Sequence, residues 1–228
     1  MSLQVALPAA STTPTTRLLA SGIVAGPLFL VVVLIQAFTR EGFDLSRHPL
    51  SLLSLGDLGW IQIANFVVTG LLYMACAIGM RRVLRPGRSG TWGPLLIGVF
   101  GVGLIVAGVF VTDAGAGFPP GAPAGAPEQI SWHGVVHSVG FVLAVFGMIV
   151  GCLVFVRRFA ALKWWGWVAA CVATAVTVLV LISQPDVDGY SLRLVIASAI
   201  LFGFVAALAA RVIRGLPDAA ATSTRGRD

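Results

Sequence analysis

The stretch SWHGVVHSVGFVLAVFGMIVGCLVFVRR, residues 131–158, enters an unbroken apolar segment at two histidines and leaves it at two arginines. A bilayer core takes roughly 20 consecutive apolar residues as a helix, and Trp132–Val156 is long enough to cross one. Its apolar residues are continuous rather than alternating, which argues against a barrel strand. Five more runs of the same kind flank it: Leu18–Phe38, Gly59–Met80, Trp92–Thr112, Trp165–Ser183 and Ser191–Ala210. The sequence therefore predicts an all-α fold, a polytopic transmembrane bundle of six helices.

Composition agrees. Mean hydropathy is +0.95, and charged residues are only 11% of the chain, against about 25% in soluble domains. The runs divide the chain into an N-terminal tail (1–16), a six-helix transmembrane domain (17–214) and a C-terminal tail (215–228). Both tails are rich in Ala, Ser, Thr or Pro and read as disordered. The N-terminus lacks the basic start and apolar core of a signal peptide.

The formal charge of +6 is a topology signal. Arg17, Arg81, Arg82, Arg85, Arg88, Arg157, Arg158, Lys163, Arg211, Arg214, Arg225 and Arg227 fall on one side of the predicted spans, and only Arg40, Arg47 and Arg193 on the other. The positive-inside rule makes the crowded side cytoplasmic, with both termini inside, in the cell inner membrane. Trp92, Trp164, Trp165 and Trp167 near that boundary, and Trp60 and Trp132 near the outer one, read as interfacial anchors. Membrane lipids are the expected partners. No nucleotide-binding loop or nucleic-acid surface is present. Cys76, Cys152 and Cys171 lie inside apolar runs without metal-ligand spacing and read as packing residues.

Small residues let helix backbones approach in lipid. Gly22 and Gly26 have GxxxG spacing in the first helix, as do Gly147 and Gly151 in the fourth, and the third is glycine-rich. This places the first, third and fourth helices centrally; a homo-oligomer is the competing use of the same spacing. In the first outer loop, PLSLLSL reads as a short helix opened by Pro49 and ended by Gly56, with His48 as its cap. The second outer loop, rich in Gly, Pro and Ala, reads as irregular.

All three histidines, and Glu41, Asp44, Asp57, Asp113, Glu128, Asp186 and Asp188, gather on the outer side. His133 and His137 are four residues apart and project from one helix face, His137 one turn deeper, about 6 Å. A polar side chain at that depth usually faces the bundle and has a partner. Asp113, closing the third helix, is the nearest candidate in depth, and Ser51, Asn65 and Ser138 could complete a polar pocket. Gln62 and Asn65 read as residues that join helices.

At these residues the sequence resembles the domain of unknown function 998 family of six-helix prokaryotic membrane proteins. The likeness lies in RHPLSLLSLGDLGWIQIANFVVTGLL (47–72), VFGVGLIVAGVFVTD (99–113) with FPPG (118–121), and WHGVVHSVGF (132–141). It implies the six-helix fold and supplies no activity. The family position after the loop-one serine is often acidic; here it is Leu52.

Three functions compete. The first is a membrane-embedded hydrolase or acid/base enzyme acting on a lipid-like or isoprenoid substrate. Its catalytic residues would be Asp113, His133, His137, His48 and Ser51. Its metal form would bind a divalent ion such as zinc through His133, His137 and either His48 or Asp113. The second is a transporter with the histidines as a proton-linked site. The third is an accessory protein whose histidines brace the outer loops.

Overall fold

The computed structural model describes residues 12–127, 129–184 and 189–216. Glu128, Asp186 and Asp188, and most of both tails, lie outside them. Six helices follow in order: α1 (Thr12–Thr39), α2 (Gly59–Leu84), α3 (Arg88–Val109), α4 (Trp132–Ala161), α5 (Trp165–Ser183) and α6 (Tyr190–Arg214), with a short 3₁₀ helix, Leu50–Ser54, between α1 and α2. All six are long and apolar enough to span a membrane. Their backbones satisfy their own polar groups, as hydrocarbon requires. This is a multi-pass membrane protein.

Each helix packs on its neighbour in sequence, and α6 returns to pack on α1, which closes the ring. The loops divide between two faces. On the histidine face, Gly189 N–H donates to the Ser46 carbonyl at 2.8 Å, joining the first and last loops of that side. On the arginine face, Arg158 donates to the Leu84 carbonyl at 3.3 Å, and Arg211 lies over the Trp164 ring.

Glycine sets the spacing around α3. A Cβ on Gly101 would lie 2.6 Å from the Gly70 carbonyl oxygen of α2, and one on Gly103 would lie 2.6 Å from the Gly140 carbonyl oxygen of α4. The backbones touch on both flanks, a distance only glycine permits. The pairs of α1 and α4 are also used within the chain: Gly22 meets Cys76, Gly26 meets Phe202, and Gly147 meets Val99. The embedded helices are α2, α3 and α4. The sequence expectation that α1 is central is corrected, because only 33% of its span is buried, against 50%, 50% and 44% for α2, α3 and α4. An amide network ties α1 to α2: Gln36 Nε2 donates to Gln62 Oε1 at 2.9 Å, and Asn65 Nδ2 donates to the Phe29 carbonyl at 3.2 Å.

Local boundaries differ from the sequence reading at three points. The first helix begins at Thr12, inside the stretch read as a tail. The third ends at Val109, so Asp113 lies in the irregular segment after it. In the first loop the N-cap position belongs to Pro49 and not to His48, and the segment is 3₁₀ with Leu50, Leu52 and Leu53 buried against the bundle.

Candidate functional site

The two histidines of α4 meet the end of α3. A helix leaves its last carbonyls without intrahelical donors, and in a membrane that deficit is costly. His137 supplies the missing donor, its Nδ1 lying 2.8 Å from the Ala107 carbonyl oxygen and 3.0 Å from that of Phe110. His133 Nδ1 lies 2.8 Å from the Val111 carbonyl oxygen. A carbonyl only accepts, so both rings carry hydrogen on Nδ1. In the neutral ring Nε2 is then an acceptor, and neither Nε2 has a hydrogen-bond partner among the described residues.

Asp113 returns the favour to α4. Its Oδ2 accepts from the Ser131 N–H at 3.0 Å, while the Ser131 hydroxyl accepts from the Gly134 N–H at 3.0 Å. Together they cap the N-terminus of α4, where negative charge is favoured. The Ser131 hydroxyl beside it holds the Asp113 carboxyl below the usual carboxylate range; the Ser131 N–H and the nearby His133 and His137 act in the same direction, against slight burial. The carboxylate thus serves the helix start and makes no hydrogen bond to either imidazole.

His48 is held elsewhere. Its Nδ1 accepts from the Asp44 N–H at 2.8 Å, and its Nε2 donates to the Ala116 carbonyl at 2.9 Å. Both nitrogens are spent on backbone, and the ring packs against Phe43 and the buried Phe118. The Ser191 hydroxyl donates to the His48 carbonyl. His48 therefore bolts the α1–α2 loop to the α3–α4 loop and to the start of α6. Arg40 adds to this plate by donating to the Leu53 and Leu55 carbonyls at 3.2 and 2.7 Å.

The residues expected as metal ligands do not come together as a set. Among the described residues no three His, Cys, Asp or Glu side chains are grouped as a metal ion requires. His48 has no free nitrogen, and no step is assigned to zinc.

Three of the polar residues singled out in the sequence, Ser51, His137 and Ser138, do meet at a cavity. They line a space of about 350 Å³ inside the ring, within the usual range of small-molecule pockets, about 300–1,000 Å³. His133, Asp113 and His48 do not line it. Thr112, Tyr190 and Ser198 add further hydroxyls to the wall. Phe29, Phe66, Phe100 and Phe202 supply an aromatic wall, their rings 5.3–5.9 Å apart in tilted and edge contacts. At the rim, Ser138 and Val142 are exposed on the membrane-facing surface. The cavity is amphipathic, polar around His137 and apolar beyond it.

Sequence reasoning missed Tyr190, Thr112, Ser198 and the four phenylalanines as lining residues. Tyr190 opens a helix far along the chain, and nothing in its spacing points to His137. The phenylalanines lie in runs where core-facing and lipid-facing residues are equally apolar.

Comparison with known proteins adds the family alone. The family model described as protein of unknown function (DUF998) matches residues 23–210. No curated protein and no solved structure matches the chain.

Proposed function

The chain belongs to the DUF998 family, and we propose that this member binds a lipid-like amphiphile in the cavity beside His137, with His137 acting on the polar head. The head group lies against His137, Ser51 and Tyr190, and the hydrocarbon lies along Phe29, Phe66, Phe100 and Phe202. One observation carries the reading. His137 is buried, its Nδ1 is committed to two backbone carbonyls, and the ring borders the cavity with Nε2 free of any described partner.

A fixed Nδ1–H tautomer leaves Nε2 as the acceptor for a head-group hydroxyl. In an acid/base step on that hydroxyl, Nε2 is the proton acceptor, the role of a general base. The substrate class this favours is an alcohol or other hydrogen-bond donor on a hydrocarbon or isoprenoid chain. With the arginine face cytoplasmic, as the positive-inside rule has it, the cavity serves the outer leaflet.

The competing reading is that the histidines only brace α3 against α4. Both readings use the Nδ1 bonds; only the first needs Nε2. An Asn amide nitrogen stands where Nδ1 stands, so His137→Asn keeps the brace and deletes Nε2. Purified wild type and His137→Asn should be photolabelled with a diazirine-bearing fatty alcohol, with fragments mapped by mass spectrometry. Labelling of the cavity wall in wild type, weakened in His137→Asn and blocked in a cavity-filling Leu194→Trp variant, is the expected result. Equal labelling in all three would leave only the brace.

A further inference from the structure

A second candidate site lies on the opposite face of the membrane domain. Between α2 and α3 an open groove of about 570 Å³ runs from the middle of the bundle to the arginine face. Its walls are apolar, with Ile78, Leu95 and Val102 exposed along it. Its floor is open because the small residues Ala77 and Gly98 lie there: a Cβ on Gly98 would meet only Ala77, at 3.7 Å. At one end the lining becomes cationic, with Arg81, Arg82 and Arg85.

These arginines are not equivalent. Arg81 is occupied within the protein, donating to the Gly90 carbonyl at 3.1 Å and to the Thr91 hydroxyl. It ties α2 to the first turn of α3 and fixes the head of the groove. Arg82 and Arg85 are exposed and have no hydrogen bond or ion pair among the described residues. The described acidic residues, Glu41, Asp44, Asp57 and Asp113, all sit in segments of the histidine face. The described protein thus offers these two charges no counterion on their own face.

We infer that this groove is a binding site for an anionic phospholipid, with one acyl chain along Ile78, Leu95, Gly98 and Val102 and the phosphate at Arg82 and Arg85. The charge complementarity selects the occupant. An apolar trough a bundle leaves in a membrane is filled by hydrocarbon, and a pair of uncompensated guanidinium groups at its end selects a head of net negative charge over a zwitterionic one, whose phosphate is already balanced by its own cation. The site is separate from the His137 cavity and does not depend on how that cavity is used.

The test is native mass spectrometry of the full chain, stripped of lipid and re-equilibrated with equal amounts of phosphatidylglycerol and phosphatidylcholine. Wild type should retain phosphatidylglycerol preferentially. Neutralising both arginines, as Arg82→Gln with Arg85→Gln, should lower that preference by about thirtyfold, at about 1 kcal/mol per basic residue near a membrane surface. Arg82→Lys with Arg85→Lys should keep most of it, which separates charge loss from misfolding. The control Arg17→Gln with Arg214→Gln removes as much charge from the same face outside the groove and should leave the preference unchanged. Gly98→Leu fills the groove where space is open, and should weaken phosphatidylglycerol while leaving any binding of inorganic phosphate untouched. Equal retention of the two lipids overturns the proposal, as does equal loss in the control pair. Full retention in Gly98→Leu with competition by inorganic phosphate would reassign the arginines to a free anion and overturn it as well.

Discussion

The Nδ1 of His137 lies 2.8 Å from the carbonyl oxygen of Ala107, joining the second turn of α4 to the last turn of α3. The contact is possible because Gly103 and Gly140 bring the two backbones together one turn away. Removing the ring leaves two carbonyls short of a donor in a buried setting, which costs about 1–3 kcal/mol. His137→Ala should therefore lower unfolding stability by that amount. His137→Asn should stay within about 0.5 kcal/mol of wild type, the spread typical of a change that breaks nothing. A denaturant titration in detergent measures both, and equal loss in the two variants would mean that the amide does not replace Nδ1.

Asp113 supplies the pH dependence of the same junction. Its folded pKa lies below the ordinary carboxylate value, chiefly through the Ser131 hydroxyl. A depressed folded pKa contributes stability that is present above the unfolded value, about 3.9, and is lost as pH falls through the folded value. The stability of wild type relative to Asp113→Asn should be constant near neutral pH and should shrink on acidification below about pH 4. A difference that persists unchanged to the lowest pH at which the protein stays soluble would detach the cap from the charge of Asp113.

Much of this fold was legible because membrane spans are written in run length. Six apolar runs gave six helices, and the spacing of His133 and His137 placed both imidazoles against α3. Ser51 reads in the sequence as completing a polar pocket near His137, and it lines the same cavity. The rest depended on tertiary partners. His48 shares the type and the side of the other histidines, yet its nitrogens go to Asp44 and Ala116. Asp113 matches the histidines in depth, yet it serves the Ser131 N–H. In both cases the competitor was a backbone group, which every residue carries and no sequence pattern marks. The aromatic wall stayed hidden because lipid tails and protein cores select the same side chains.

The glycines of α3 divide into two classes that a single replacement separates. A Cβ on Gly101 meets the Gly70 carbonyl oxygen at 2.6 Å, and one on Gly108 meets the Phe66 Cβ at 2.7 Å and the Ile63 carbonyl oxygen at 3.2 Å. A Cβ on Gly98 meets only the Ala77 Cβ, at an ordinary contact distance of 3.7 Å. Overpacking costs about 1–3 kcal/mol where side chains can shift, and at Gly101 the obstacle is backbone. Gly101→Leu and Gly108→Leu should lose folded yield or melt well below wild type, while Gly98→Leu should express and melt as wild type does. Tolerance of Leu at all three positions would mean that α3 does not pack as closely as these distances require.

The orientation of the bundle decides which leaflet each site meets, and it can be read directly in cells. The basic residues crowd the face of Arg82 and Arg157, so that face should be cytoplasmic. Ala124, in the loop that His48 binds through Ala116, should then be outside, and Ser89, beside the α2–α3 turn, inside. The native thiols do not interfere, because Cys76, Cys152 and Cys171 are each fully buried. In intact cells Ala124→Cys should react with a membrane-impermeant maleimide, and Ser89→Cys should react only after the membrane is permeabilised. The reverse pattern would move the His137 cavity to the inner leaflet and the arginine groove to the outer one. It would also end the charge argument for the topology, since the basic face would then lie outside.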